Sequence, residues 1–358
     1  MISYLLNKIG YALLTLFGVV TVIFFLFNVL PGDPAQMMLG QNEDSQQLAM
    51  VKQKYGFNKP ISTQYLYYLN DLLPISFHSN NPKDYTFLSE NKYCAVTLFS
   101  VGNTSTVLKV PYLRESFTKQ GKKVSDVLAE TLPNTFVLAV SAIVIALVLG
   151  ICLGIISALY KDQWMDKVIQ IFSTLGMSIP SFFSAILFAW IFGCLWHSYT
   201  HLEMTGSLYE LDDYGEAMHI QWKNLILPAV VLGIRPLAVV IQLMRNSLLE
   251  VFNQDYIRTA RSKGLSEFQI IWNHAIKNAM NPVVTAISGW FASMLAGAVF
   301  VEYIFGWNGL GKEIVNALNT LDLPVIMGSV LIIAILFIII NIFVDIIYAW
   351  LDPKVKLN

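Results

Sequence analysis

Long stretches without charged residues are the most constraining feature of this sequence. Four runs carry no charge and two more are each broken by one charged residue, and all are near or above the roughly 20 residues that a helix needs to cross a bilayer core. The runs are 9–32, 131–160, 168–202, 224–244 (broken by Arg235), 278–301 and 323–351 (broken by Asp345). Because lipid offers no hydrogen-bond partners to the backbone, such runs must be helical. The sequence predicts an all-α polytopic membrane protein with six transmembrane helices.

The composition agrees with a membrane protein and excludes other classes. Residues are 55% hydrophobic and only 13% charged, whereas a soluble domain has about 25% charged residues. The net charge of -1 gives no basic patch for nucleic acid. The three cysteines, Cys94, Cys152 and Cys194, have no metal-ligand spacing. We therefore expect no metal site, no disulfide framework and no nucleic-acid partner.

The charges also divide the chain into predicted domains. Between Asp33 and Glu130 lie 19 of the 47 charged residues. The first run is too long for the apolar region of a signal peptide and lacks a cleavage site of small residues, so we interpret it as a retained anchor. We predict a first transmembrane helix within 1–32, a region over 33–130, and a five-helix core over 131–358 whose longest internal loop is 245–281.

Lysine and arginine in short loops predict the orientation. Two such residues, Lys223 and Lys312, lie on one side, and ten lie on the other: Lys8, Lys161, Lys167, Arg245, Arg258, Arg261, Lys263, Lys277, Lys354 and Lys356. Both termini are therefore expected to be cytoplasmic. Residues 33–130 then form an extracytoplasmic insertion between helices 1 and 2, and 203–222, with five acids and no Lys or Arg, is a second outer loop.

The insertion is expected to have mixed structure. Residues 45–55 and 62–73 have the apolar spacing of short helices. Residues 74–125 alternate weakly between apolar and polar residues and contain turn formers, which is typical of a small β element.

The loop 245–281 carries a regular pattern. Apolar residues recur at helical spacing through 247–260, with cations on the other side, and Gly264 has the position of a left-handed helix cap. Ser266 followed by Gln269 is a capping-box signature that starts a second amphipathic stretch. One interpretation is an amphipathic pair lying at the lipid surface. The other is a helix that fits a groove on a cytoplasmic partner.

Residues 255–266, Asp-Tyr-Ile-Arg-Thr-Ala-Arg-Ser-Lys-Gly-Leu-Ser, resemble the EAA loop of ABC importer permeases in its dipeptide/oligopeptide form. The general loop has Glu-Ala-Ala six residues before the glycine, where this chain has Arg258, Thr259 and Ala260, so no role is carried over to a glutamate. Other matches are Pro-Gly-Asp-Pro at 31–34, Tyr-Gly-Phe at 55–57 with Pro60, the glycine-rich 302–311 and Leu-Asp-Pro at 351–353. The resemblance, to the first-permease type, covers nearly all of the chain except about 75–125 and 203–222.

This resemblance implies a non-catalytic subunit of an ATP-driven importer in a bacterial cytoplasmic (inner) membrane. Its partners would be a second homologous permease subunit, two ATPase subunits and an extracytoplasmic solute-binding protein, with ATP and Mg bound by the ATPases and no cofactor on this chain. The helix before Gly264 would be the coupling helix that docks on the ATPases. The docking residues carried over by position are Asp255, Tyr256, Arg258, Ala260, Arg261 and Gly264.

Residues 306–313, Gly-Trp-Asn-Gly-Leu-Gly-Lys-Glu, nearly match the phosphate-loop pattern. We reject this interpretation because Glu313 replaces the magnesium-binding hydroxyl, and a membrane span precedes the motif where a strand is required. The alternative is a tight reentrant turn near the outer surface that helps to close the pore mouth.

Three charged residues and one proline within the spans are candidate functional residues. Arg235 either faces the translocation pathway and attracts a carboxylate, or pairs with an acid such as Asp345 on a neighbouring helix. We expect Asp345 to hydrogen-bond at a helix interface and Glu302 to be solvated at a span end. Pro180 should kink the third span, either for local packing or as a hinge beside the pathway.

The leading hypothesis is the permease subunit of an ATP-driven importer of peptides or related solutes. An ion-gradient-driven secondary transporter is the alternative, although it would need several intramembrane acids or an internal repeat. A membrane enzyme is disfavoured because no Ser/His/Asp set, metal-ligand set or pair of carboxylates is expected at membrane depth.

Overall fold

The computed structural model describes residues 2–29, 35–36, 45–82, 84–89, 92–119, 121–212 and 217–351. The motif at 31–34 and the last two residues of the motif at 351–353 lie outside these residues. The structure divides into two compact units. The first unit comprises Met1–Ala12, Thr131–Val315 and Ile335–Asn358, and the second comprises Leu13–Glu130 and Asn316–Ala334. The predicted division at 32 and 130 stays a prediction.

Four helices are long and apolar enough to cross a membrane: α1 (Ile2–Val29), α4 (Val124–Leu159), α8 (Trp222–Phe252) and α14 (Leu323–Leu351). Two bent pairs raise the number of candidate spans in the described residues to six. The first pair joins α5 (Trp164–Ser178) to α6 (Ser181–Trp190) and its π-helical end, Ile191–Leu195. The second joins Glu267–Leu295 to α12 (Val299–Phe305). The six predicted spans fall on these segments, and four of them are single helices while the other two are the bent pairs.

Short elements connect these spans. They are α2 (Ser45–Tyr55), α3 (Ile61–Leu72), α7 (His197–Thr200), α9 (Asp255–Ser262), α10 (Glu267–Ile270), α11 (Ile276–Gly297) and α13 (Leu310–Asn319). A π-helical turn over Ile271–Ala275 joins α10 to α11, so the two form one continuous helical segment. The outer loop predicted at 203–222 contains a small hairpin of β4 (Tyr209–Leu211) and β5 (Met218–Ile220).

Glycines allow α8 to pack closely on its neighbours in the first unit. A Cβ atom added to Gly150 or Gly154 of α4 would lie 2.6 Å from Val240 or 2.7 Å from Met244, and one on Gly176 of α5 would lie 2.9 Å from Ile234. These distances are shorter than any side chain tolerates, so the backbones approach only because the side chains are absent. Helix α8 is thus the central helix of the unit's apolar core.

The second unit contains a three-stranded antiparallel sheet in the order β1 (Ile75–Ser79), β3 (Thr104–Lys109), β2 (Ala95–Val101). Pairing aligns Ile75 with Leu108 and Leu108 with Val96, so these three exposed residues share one face. The opposite face carries buried residues, among them His78 and Val107. The β element predicted from the weak alternation is present.

A buried carboxylate, that of Asp71, organises the interior of this unit. It accepts hydrogen bonds from Tyr85 Oη at 2.7 Å and Tyr93 Oη at 2.9 Å, and pairs with Arg114 Nε at 3.1 Å. The ammonium of Lys92 lies 3.7 Å from the centre of the Tyr85 ring. Burial lowers the pKa of Lys92 to about 8, against the opposing effect of Asp71. These polar groups of the second unit therefore form a connected network around Asp71.

Candidate transport pathway and coupling loop

The predicted coupling helix is α9, and the turn after its C-terminal end has the predicted geometry. Gly264 follows the helix with a φ of +77°, the left-handed conformation that glycine adopts without strain. Two residues later, Ser266 Oγ accepts a hydrogen bond from Gln269 N, while Gln269 Oε1 accepts one from Ser266 N at 3.0 Å. The capping box therefore starts α10 as expected. The result is a helix, a glycine turn and a second helix.

The loop differs from the expected pattern at one place. Apolar spacing through 247–260 predicted a single helix, but α8 ends at Phe252 and α9 begins at Asp255. The extended backbone of Gln254, with ψ of 150°, ends the helical pattern between them, and Asn253 Nδ2 donates to Leu249 O at 2.9 Å. This break makes α9 a separate short helix that follows the α8 span after only two residues.

The two faces of α9 differ in exposure. Ile257 and Ala260 are buried against the core, whereas the side chains of Asp255 and Arg258 are 96% and 72% exposed. Arg261 is half-exposed and pairs with Glu267 at 3.0 Å. Charged groups on one face and apolar groups on the other fit a helix that is anchored to its own chain and presents charges outward.

Of the six predicted docking residues, Ala260 is therefore covered within this chain, where it helps to hold the helix in place. Tyr256 is exposed, and its hydroxyl accepts a hydrogen bond from Asn278 Nδ2 at 2.9 Å, which ties α9 to α11. The remaining predicted residues lie at the exposed face or at the glycine turn.

Arg235 lies beside a cavity of about 210 Å³ formed by α5, α6, α8 and α11. Its lining residues are Gly176, Ile179, Ser181, Ser184, Val231, Leu232, Ile234, Arg235, Trp290, Ser293 and Met294. Arg235 Nη2 donates to the Ile179 carbonyl at 3.5 Å, and the Arg235 Nε is buried without a hydrogen-bond partner among the described residues. A guanidinium with unused donors beside a cavity can bind a carboxylate or a carbonyl group.

The alternative role of Arg235 is a structural pair with an acid on a neighbouring helix, and in the described residues Asp345 does not serve as that acid. Asp345 instead forms an ion pair with Lys8 of α1. The expectation that Asp345 acts at a helix interface agrees with this pair.

Pro180 lies at the break between α5 and α6, where the chain bends by 111°. Its carbonyl accepts from Phe183 N and Ser184 N in the first turn of α6, while the fixed proline ring favours the start of a helix over its continuation. The predicted kink is present. Both neighbours of Pro180, Ile179 and Ser181, line the cavity, so the bend borders the space that Arg235 faces.

The solvated position predicted for Glu302 is wrong, because its side chain is fully buried. Glu302 Oε2 accepts hydrogen bonds from Gly311 N at 2.6 Å and Lys312 N at 3.2 Å. These are free backbone donors in the first turn of α13, so the carboxylate occupies the place where a bound phosphate would lie. The glycine-rich segment 306–311 is therefore a turn organised by Glu302, as the rejection of a phosphate loop requires.

The charged pair of Arg245 and Asp166 is one that no sequence pattern indicates. Arg245 was counted only as an orienting cation, but its guanidinium binds the carboxylate of Asp166 through Nε at 2.8 Å and Nη2 at 2.7 Å. The two residues are 79 positions apart, so no local spacing connects them. Asp166 lies just before the apolar run 168–202, but so does Asp162, so the sequence alone does not single out Asp166.

The fold and this site define a polytopic α-helical membrane protein with a cavity between its spans and a protruding loop helix. Residues 150–357 match the family described as the binding-protein-dependent transport system inner membrane component, and residues 1–83 match its N-terminal family. The chain belongs to this family of ABC transporter permeases, in its dipeptide/oligopeptide branch. It is accordingly a multi-pass inner-membrane protein of the ABC importer type.

Curated relatives match over the full length of the chain. The dipeptide transport system permease protein of Alkalihalophilus pseudofirmus is 30% identical, covering 99% of this chain and 100% of the relative. The glutathione transport system permease protein of Salmonella choleraesuis is 30% identical, with 99% of each chain covered. The di/tripeptide transport system permease protein of Pseudomonas aeruginosa is 31% identical with the same coverage. Among solved structures, an inward-facing methionine ABC transporter matches 64% of this chain and 97% of its own, at 15% identity and a TM-score of 0.49.

Proposed function

We propose that this chain is the permease subunit of an ATP-driven importer of short peptides, such as dipeptides, tripeptides or glutathione-like compounds. It forms the translocation pathway with a second, homologous permease subunit and receives its solute from an extracytoplasmic binding protein. Two separate ATPase subunits bind ATP and Mg and supply the energy. The full-length similarity to permeases that are named for dipeptide, tripeptide and glutathione transport supports the substrate class.

The geometry of α9 is the observation that supports coupling to an ATPase. A short helix with a buried face and an exposed charged face, ended by a left-handed glycine, is suited to transmit a push from a partner into the chain. The cations of this loop favour a cytoplasmic location, with both termini on the same side. Family membership also argues against the ion-gradient alternative.

Arg235 is proposed to contact the solute on its way through the membrane. Its Nε, which has no partner in the part of the chain that the structure describes, and the adjoining cavity suit a carboxylate, which every unmodified peptide carries at its C-terminus. We expect Arg235→Leu to lower dipeptide uptake by about tenfold, the loss of one charge-assisted contact, while the complex still assembles. Uptake by reconstituted complexes measures this, with Ser181→Ala at the same cavity as control. Unchanged uptake by Arg235→Leu would contradict the assignment.

The coupling role is tested at Gly264. Open space surrounds this residue, so the replacement Gly264→Val introduces backbone strain from the positive φ and no side-chain clash. We expect ATP hydrolysis by the purified complex to persist while uptake falls by about tenfold or more, since coupling needs the turn intact.

Gly102→Val is the matched control for this experiment. Gly102 also has a positive φ, +60°, with nothing near the position of a Cβ atom, but it lies between β2 and β3. The same strain placed there should leave the ratio of hydrolysis to uptake unchanged. If Gly264→Val transports normally, the proposed coupling is wrong.

A further inference from the structure

Helix α8 holds α5 at both of its ends through two arginines. Arg245 binds Asp166 in the first turn of α5, and Arg235 donates to the carbonyl of Ile179, the residue that ends α5. The two contacts lie near opposite ends of a 15-residue helix. They therefore restrain its position along α8 and its tilt at the same time.

The Asp166 contact is the stronger of the two. Both carboxylate oxygens are used by the guanidinium of Arg245, and the side chain of Asp166 is only 4% exposed. The same carboxylate accepts from Ser157 Oγ at 2.5 Å and from Asp162 N at 2.9 Å. One acid thus joins α4, the turn after it, α5 and α8. Bidentate, charge-assisted bonds of this kind are directional and hold a fixed geometry.

Close packing next to each arginine contact opposes sliding of the helices. Gly176 of α5 lies against Ile234 of α8, and Gly154 of α4 lies against Met244 beside Arg245. Because no space separates these surfaces, a shift of α8 must displace its neighbours or break the contacts.

The two ends of the α5–α8 pair lie next to different parts of the chain. At one end, α8 is followed after two residues by α9, the helix that the proposed function couples to an ATPase. At the other end, Ile179 and Arg235 border the cavity. A rigid α5–α8 pair therefore links the helix that would be pushed to the space through which a solute would pass.

We propose that Asp166 and Arg245 are positioning residues for transport, which clamp α5 to α8 so that a displacement of α9 reaches the cavity at Ile179 and Arg235. This inference rests on the proposed function of α9. Neither residue contacts the solute. The Asp166–Arg245 pair makes α5 and α8 move as one rigid body. Without this pair, ATP hydrolysis would no longer be coupled to movement at the cavity.

Asp166→Asn tests the clamp, because the amide keeps the shape of the side chain and removes its charge. In proteoliposomes containing the complex with its ATPases and binding protein, we expect uptake of a labelled dipeptide mixture to fall by about tenfold while ATP hydrolysis stays within about twofold. Arg245→Lys keeps the charge but not the bidentate geometry and should give an intermediate loss. Glu250 is an exposed acid on α8, the helix that carries Arg245. The replacement Glu250→Gln is the control and should change neither uptake nor ATP hydrolysis.

A second measurement tests the clamp without any transported solute, by following the distance between α5 and the segment before α9. In a chain whose three cysteines are replaced by serine, spin labels are attached at Lys167→Cys on α5 and Gln254→Cys before α9, both exposed positions. The distance between the labels should stay the same when ATP and vanadate are added to the complex with Asp166 intact. With Asp166→Asn, the distance should change or its distribution broaden.

The outcomes separate the two proposals. If no ATPase associates with the wild-type complex, the proposed function is overturned and the clamp with it. If the complex assembles but Asp166→Asn lowers hydrolysis and uptake in equal proportion, or leaves the label distance unaffected, the clamp alone is overturned.

Discussion

Each of the two units of this protein is stabilised internally by a different kind of contact. In the first unit, α8 packs against α4 and α5 through glycines, and the least exposed ion pair among its described residues joins Asp166 to Arg245. In the second unit, the carboxylate of Asp71 gathers two tyrosine hydroxyls and a guanidinium. In an apolar span, close approach of the helix backbones takes the place of polar contacts. The second unit can bury the polar network around Asp71 because each group in that network has a hydrogen-bond or ionic partner.

The largest effect is expected from Asp71→Ala. Removing the acid leaves Arg114 buried without its counter-charge, which costs about 3–5 kcal/mol of stability in buried pairs. Hydrogen exchange of the full-length protein should show faster exchange across residues 75–112, while α8 keeps its protection. The two units would then be shown to lose stability separately.

The matched control is Glu130→Gln in the same unit. Glu130 pairs with Lys122 at 2.5 Å, but both side chains are largely or partly exposed, and such pairs contribute only about 0–1 kcal/mol. Equal effects of the two replacements would mean that burial of the Asp71 network is not what stabilises the second unit.

A smaller effect is expected in the first unit from Gly154→Ala. The added methyl group would lie 2.7 Å from the Met244 side chain and 3.0 Å from the Ile241 carbonyl. Overpacking of this kind costs about 1–3 kcal/mol, and it should lower the midpoint of thermal unfolding of the detergent-solubilised protein.

Gly18→Ala on α1 is the comparison for this replacement, because nothing lies within 4 Å of its Cβ position. It should leave the midpoint unchanged or raise it slightly, since alanine favours helix more than glycine does. If both replacements behave alike, close packing is not what holds α4 to α8.

Local signals allowed the sequence to predict much of this structure. Charge-free runs located the six candidate spans. Gly264 marked the turn after the C-terminal end of α9, and the Ser266 capping box marked the start of α10. Both signals depend only on residues three or fewer positions away. Pro180 marked the break in the third span for the same reason.

The contacts that the sequence did not predict join distant positions. Asp166 and Arg245 are 79 residues apart, and Asp71 and Arg114 are 43 apart. Neither pair lies on one helix face or one strand, so no periodicity connects them. Glu302 was misplaced because its position near a span end suggested solvent, whereas its partners are backbone groups of the following helix, which no side-chain pattern displays.

The buried carboxylate of Glu302 also constrains which substitutions the chain can accept. A Cβ atom at Gly309 would lie 2.5 Å from that carboxylate, and one at Gly311 would lie 2.9 Å from its Oε2 atom. Gly309 is therefore required as long as the acid is present, and the acid accepts hydrogen bonds from free backbone donors in the first turn of α13. Loss of the acid would relieve the contacts at Gly309, whereas Gly311 would stay restricted because its Cβ atom would also lie 2.5 Å from the Cα atom of Val299.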